Sequence, residues 1–377
     1  MRKIIRFLLL KPVQWAATRF SSRPDRRRVF AALDKLYRSL LKHPGRKGLT
    51  IPFEYNAGKF IIFSDQHKGA RNGADDFMGC EENYLAALDY YDNHDFLYIN
   101  LGDCEELWEN SLAQVKKHNT AEFLAEKKFL SRNAYVKIFG NHDLYWDNAP
   151  QARWQLKSIY GEKVKVYEGV ILATDVPSPS SPSPEGSPAT PLFIFCTHGH
   201  QGDASSDGNW FSKFFIANIW APLQAYLRIN PNTPAYNAAK KTLHNTMMYQ
   251  WSAAQKNTLL ITGHTHQPVF ESLTLFERLY KEYQQAEADH ASDRINELKG
   301  SIREREKDFT MVPQDYLSML PSYFNSGCCC FSDGDITGIE IEAGMIRLIK
   351  WTRQASGSRR VILDETSLAA VATAVKQ

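Results

Sequence analysis

Short apolar runs recur along the chain, and each stops abruptly at a polar cluster. They are KFIIFS (59–64), FLYINL (96–101), YVKIF (135–139), LFIFCT (192–197) and TLLIT (258–262). Runs this short, rich in Phe, Ile, Val and Tyr, predict strands. Between the first three lie helical patterns, EENYLAALDYYDN (81–93) and EELWENSLAQVKKH (105–118). Strands alternating with helices predict an α/β fold with largely parallel pairing. SYFNSG (322–327) predicts one more strand ending in glycine. GDITGIEIEAGMIRLIKW (334–351) alternates as a hairpin turning at Glu342-Ala343-Gly344. Residues 356–377 read as a weakly ordered tail after a domain spanning 51–355.

Three insertions interrupt the pattern. Residues 176–191 are Pro/Ser-rich and predict a mobile loop between two strands. Residues 274–310 are charged and helical, a projecting arm whose charges form a solvated face. The aromatic-rich stretch 209–229 follows a histidine cluster. It opens a segment, 209–256, that serves either as a cap over the site or as ordinary core helix.

Composition changes the picture in one respect. At 377 residues, 43% hydrophobic and 23% charged, the chain is an ordinary globular one. Its net charge of +3 is unevenly spread: residues 1–50 hold 14 Lys/Arg against Asp25 and Asp34, leaving −9 for the rest. A basic arm over 1–50 on an acidic body points to an anionic partner surface. The apolar runs of residues 1–28 are far shorter than the roughly 20 residues that cross a bilayer, and no secretory cleavage site is evident. Three readings stay open: an interfacial amphipathic helix, an organellar transit peptide, and a solvated basic helix. Trp15, Phe7 and Phe20 among arginines suit the first. The six cysteines form no disulfide or zinc-site spacing, so the expected compartment is the cytoplasm, with peripheral attachment to the inner membrane face.

The candidate chemistry sits where the strands stop. The ends are Ser-Asp65-Gln-His67, Gly-Asp103-Cys-Glu-Glu106-Leu-Trp108, Gly-Asn141-His142-Asp143, His198-Gly-His200 and Gly-His264-Thr-His266. Ligands in α/β sheets collect beyond the carboxyl ends of strands. Residues two apart at such an end can reach a common point. Carboxylate, amide and imidazole donors without thiolates fit borderline-to-hard divalent ions, manganese first among Mn, Fe, Zn, Co and Ni. Seven donors suit two ions better than one, with Asp103 the central candidate to bridge them.

The ordered set Asp-x-His, Gly-Asp-x-x-Glu, Gly-Asn-His-Asp, His-Gly-His and Gly-His-x-His resembles the calcineurin-like metallophosphoesterase superfamily, over about residues 58–350. The resemblance implies a four-layer α-β-β-α sandwich with two mixed sheets. It assigns Asp65, His67 and His266 to one ion, Asn141, His198 and His264 to the second, and Asp103 to both. It places His142, with Asn141 beside it, against the substrate phosphate, and Asp143 orienting that imidazole; His-Gly-His offers two ligand candidates, of which His198 sits nearest the strand end, leaving His200 beside the substrate. It implies hydrolysis of a phosphate mono- or diester by a hydroxide shared between the ions.

Gly-Asp-x-x-Glu-Leu-Trp is further similar to the UDP-2,3-diacylglucosamine hydrolase branch, which has arginine where this chain has His142. With the basic arm and the aromatic stretch 209–229, this makes lipid-linked and nucleotide-linked phosphates the expected substrates, and a pyrophosphatase of that branch's type the first alternative. A nuclease is disfavoured by the acidic body. A non-catalytic scaffold is the alternative from a different class. The oligomeric state is not legible.

Overall fold

The computed structural model describes residues 25–72, 75–177, 190–202, 238–305 and 319–376. In chain order the first elements are α1 (Arg26–Lys42), β1 (Gly48–Pro52), β2 (Lys59–Phe63), α2 (Glu81–Asn93), β3 (Leu97–Leu101), α3 (Leu112–His118), α4 (Thr120–Ser131) and β4 (Tyr135–Ile138). The middle holds α5 (Tyr145–Asn148), α6 (Ala152–Tyr160), β5 (Val166–Tyr167), β6 (Gly169–Val176), β7 (Thr190–Thr197), α7 (Ala238–Ala253) and β8 (Thr258–Thr262). The last are β9 (Val269–Phe270), β10 (Leu273–Thr274), α8 (Leu275–Ala288), α9 (Ser292–Arg305), β11 (Tyr323–Asn325), β12 (Ile336–Glu342), β13 (Met345–Gln354), β14 (Gly357–Ser367) and α10 (Leu368–Ala374).

The strands form two seven-stranded mixed sheets, β1-β6-β7-β8-β11-β9-β10 and β14-β13-β12-β2-β3-β4-β5. In the second sheet β2, β3, β4 and β5 run parallel, as the βαβ pattern requires. Strand alternation sorts the core. Phe60 and Ile62 of β2 face the other sheet, meeting Leu172, Ile194 and Ile261, while Ile61 and Phe63 face α2. Leu260 and Phe195 point outward instead, onto α1 and α7. Helix, sheet, sheet, helix is therefore the layer order, and the α/β sandwich expected from the sequence is present.

Several boundaries differ from those read in the sequence. The basic arm of 1–50 is too long. In α1, Val29, Leu33, Leu36 and Leu40 recur at helical spacing and are buried on the sheet, while the charges occupy the opposite face. β1 then pairs with β6. Residues 1–24 lie outside the described residues. The helix expected from 105 starts at Leu112, capped by Ser111, because Glu105 and Glu106 are turned inward and buried. The final segment is no tail. β14 pairs with β13 along its length, and α10 buries Leu368 and Val371 in the inter-sheet core. β14 looked weak in sequence because an edge strand needs few apolar residues; Arg360 reaches buried Glu340 instead.

Part of the segment read as a cap is core. Met247, Met248 and Trp251 of α7 are buried on the first sheet, whereas 209–229 lies outside the described residues. So does most of the Pro/Ser segment, 178–189. Helices α8 and α9 pack on each other within 274–310. The predicted turn at Ala343-Gly344 is present, both residues with positive φ as a two-residue hairpin requires.

Candidate metal centre

Six loops leave the carboxyl ends of β2, β3 and β4 in one sheet and β7, β8 and β11 in the other, and they meet at one edge of the sandwich. The loops hold each other by backbone hydrogen bonds. Asp65 N–H donates to Gly102 O at 3.0 Å, His67 N–H to Asp103 O at 2.9 Å, and Gly263 N–H to His198 O at 3.0 Å. Asn325 donates from its side chain to Gly263 O at 2.7 Å. Asp65, His67, Asp103, His264 and His266 all have φ between 51° and 68°. Side-chain-bearing residues rarely adopt that left-handed region, and such strain gathers at functional sites. Gly140 has a steric role: a Cβ there would lie 2.2 Å from Asp103 Oδ1.

All ten candidate site residues are brought together; nine are buried and His266 is half-buried. On one side, His266 Nε2 lies 3.2 Å from Asp65 Oδ1 and 3.2 Å from His67 Nε2. On the other, His198 Nε2 lies 3.3 Å from Asn141 Oδ1, and Asp103, His198 and His264 each bring a ligand atom within 4.8 Å of the others. Asp103 Oδ2 stands between the groups, 3.1 Å from His198 Nε2 and 3.8 Å from His67 Nε2. Its Oδ1 accepts from His142 N–H at 2.8 Å.

Electrostatics follow from this crowding. Burial disfavours charge on His67, yet the Glu106 and Asp103 carboxylates raise it to about 9. His198 rises to about 9 and His266 to about 10 against the same burial, held by Asp103 and by Asp65 respectively. Burial and neighbouring histidines push His200 down to about 3 and hold His264 well below its ordinary range. His264 Nε2 and His200 Nδ1 are buried without a hydrogen-bond partner. Converging carboxylates, imidazole nitrogens at van der Waals distance and orphaned ring nitrogens are the environment a pair of divalent cations satisfies, and the oxygen-and-imidazole donor set fits them.

One role needs correcting. Asp143 does not touch the His142 ring; its carboxylate accepts from the backbone N–H groups of Gly140 at 2.6 Å and Cys104 at 2.9 Å, holding two loops. The His142 ring is held by Glu106, whose Oε2 accepts from His142 Nδ1–H at 2.7 Å and from His67 Nδ1–H at 2.8 Å. A glutamate is long enough to reach both rings from the β3 loop. Trp108 stacks on the other face of His142, centroids 4.2 Å apart.

Sequence reasoning also missed what lies behind the site. Lys68 bonds Glu126 at 2.5 Å and Glu105 at 3.2 Å, and Lys137 bonds Glu105 at 2.9 Å, all fully buried. The hydroxyls of Tyr84, Tyr135 and Tyr160 complete the shell of Glu126. The available signal was a lysine in the middle of the apolar run YVKIF. His244, from α7, donates to Gly199 O at 2.8 Å and packs edge-on to His264. Cys330 comes near His67 and His266 from the loop after β11.

A two-sheet sandwich with paired donor clusters where its strands end is an α/β protein with a candidate centre for two metal ions. The family model described as calcineurin-like phosphoesterase matches residues 58–268, more than half of the chain, and the chain belongs to that family. It is thus a metal-dependent phosphoesterase by family. Among solved structures, a dimetal phosphatase from Danio rerio aligns over 82% of this chain and 100% of its own, with 7% identity and a TM-score of 0.35. No protein of curated function matches the chain. Among the described residues, no helix is long and apolar enough to cross a membrane.

Proposed function

We propose that the protein hydrolyses a phosphate mono- or diester carried on a lipid or nucleotide, with His142 as the group that protonates the leaving oxygen. The observation that carries this reading is the placement of His142. Its Nδ1–H is fixed on Glu106 and its ring is sandwiched against Trp108, 4.6 Å from the His67 ring, so Nε2 is the nitrogen left to face a bound phosphate.

Asp65, His67 and His266 would hold one ion and Asn141, His198 and His264 the other, with Asp103 serving both. His198 suits that role because its Nδ1–H already donates to Leu101 O at 2.9 Å, turning Nε2 inward. Ions there supply Lewis acidity towards phosphoryl oxygens and activation of water. The chain does the rest. Glu106 fixes the orientation of the His142 ring, so that Nε2 is the atom placed to pass a proton to the departing oxygen. His200, neutral and buried beside His198, lines the phosphate side without adding charge. The half-buried Trp108 gives the substrate an apolar wall, which favours an amphiphilic or base-bearing phosphate over a small inorganic one.

The experiment is hydrolysis of an aryl phosphate and a bis-aryl phosphate with added Mn²⁺, followed by a panel of nucleotide-linked and lipid-linked phosphates. Turnover of at least one aryl ester, lost in Asp103→Ala, is expected. A chain that binds two ions and turns over none of these substrates is the non-catalytic scaffold instead.

A further inference from the structure

Three rings in the cluster have one nitrogen anchored by oxygen. His67 and His142 each give Nδ1–H to Glu106, and His198 gives Nδ1–H to Leu101 O. His266 is different. Its Nε2 faces Asp65 Oδ1 and His67 Nε2, and its Nδ1 faces Cys330 Sγ at 3.6 Å, within reach for a sulfur hydrogen bond. A ligating histidine ordinarily gives its second N–H to a carboxylate, carbonyl or water, and that partner sets the ring's rotation and basicity. Here a thiol stands in that place.

The loop bearing Cys330 is built into the site. Cys329 N–H donates to Asp65 O at 3.2 Å, and Ser326 Oγ and Ser64 Oγ are 2.8 Å apart. Gly327, at φ 76°, fits a space where a Cβ would meet Thr337 Oγ1 at 2.1 Å. Cys330 is therefore delivered to His266 by a tightly held turn. Of the six cysteines, five are buried and Cys330 alone is not.

We propose that Cys330 is a positioning residue for His266: its sulfur accepts the Nδ1–H and fixes the ring, so that the ion on Asp65, His67 and His266 depends on a thiol. The inference rests on the two-ion reading above. It has a chemical corollary. An alkylating agent such as iodoacetamide forms a carbon–sulfur bond at Cys330, releasing iodide and the thiol proton. The bulky thioether then displaces the sulfur from His266.

The test is metal titration of the full chain with Mn²⁺ and Zn²⁺, reading stoichiometry and affinity. Cys330→Ala should keep one ion at wild-type affinity and weaken the other about 10–100-fold, the usual effect of losing such a partner. Cys330→Asp should restore it, because a carboxylate accepts the same proton. Iodoacetamide applied to the metal-free protein should reproduce the loss in wild type and spare Cys330→Asp. Unchanged affinity for both ions in Cys330→Ala overturns the proposal alone. A thiolate-to-metal charge-transfer band in the Co²⁺-loaded wild type, absent from Cys330→Ala, overturns it in favour of direct ligation. A wild-type chain that takes up no divalent ion sinks the two-ion reading, and this one with it.

Discussion

Glu106 Oε2 accepts from two imidazoles at once, the His67 ring that faces His266 and the His142 ring that stacks on Trp108. That one oxygen separates the roles of neighbouring residues. His142→Ala should keep both ions and lose about 10²–10⁴-fold in kcat, the usual worth of a positioned proton donor. The loss should shrink for aryl esters whose leaving group needs no proton. Metal analysis beside the rate measurement checks this: loss of an ion from His142→Ala would make it a ligand. At this scale the sequence was highly legible. Strand-end spacing and order singled out Asp65, His67, Asp103, Asn141, His142, His198, His200, His264 and His266, all of which the fold gathers. What it did not carry was partnership. Asp143 is adjacent to His142 in sequence, yet the loop turns its carboxylate onto the backbone of Gly140 and Cys104. Cys330 had no visible connection with histidines some sixty residues earlier, because no local pattern encodes which strand ends become neighbours.

Among elements, the loops after β2 and β3 are joined behind the site by Lys68, which bonds Glu105 and Glu126 where no water reaches. Lys68→Met leaves two carboxylates with one fewer cation, and removing one partner of such a buried network costs about 3–5 kcal/mol. Denaturant unfolding of the metal-free protein should show a midpoint shift of that size; a change below about 1 kcal/mol would mean that Lys137 and the tyrosines suffice. Strands were legible where they are central and apolar, as in β2, β3 and β8. β1, β5 and β14 were missed for physical reasons. β5 is two residues long, β14 is an exposed edge, and β1 sits in a region whose charge drew attention to α1's solvated side. The helix α1 itself shows the limit of charge counting: arginines mark one face, while Val29, Leu33, Leu36 and Leu40 hold the other against the sheet.

Over the whole molecule, the histidines make metal uptake and stability oppose each other in pH. Without metal, His67 and His198 at about 9 and His266 at about 10 are imidazolium partners of Asp65, Asp103 and Glu106. A histidine whose folded pKa lies above its ordinary 6.5 stabilises the fold fully below that value and loses the contribution as pH rises towards 9–10. Thermal unfolding of the metal-free protein should therefore fall in midpoint from pH 6.5 to 10. Metal affinity should rise over the same interval, since each ion must displace protons from these rings. Calorimetry in buffers of differing ionisation enthalpy would count the protons released; none released at pH 7 would contradict the assignment. The charge asymmetry has its own test. Residues 1–24 hold six Lys/Arg, no Asp/Glu, and Trp15, and each basic residue near an anionic leaflet contributes about 1 kcal/mol. Deleting 1–24, just ahead of the Asp25 cap, should release the protein from anionic vesicles and leave turnover of a soluble aryl phosphate unchanged. Equal vesicle binding with and without the segment would refute this.

The six loops come three from each sheet, and no sheet supplies a complete half of the centre: Asp65 and His67 belong to one, His266 to the other. An ion held by those donors would therefore be a rivet through both sheets. Its grip depends on their relative alignment, and a small slide of one past the other would part the donors before it disturbed any strand pairing. Loading with metal and seating the sandwich would then be one event seen from two ends, and a chelator should act on the loaded protein as a mild denaturant whose first effect is felt between the sheets.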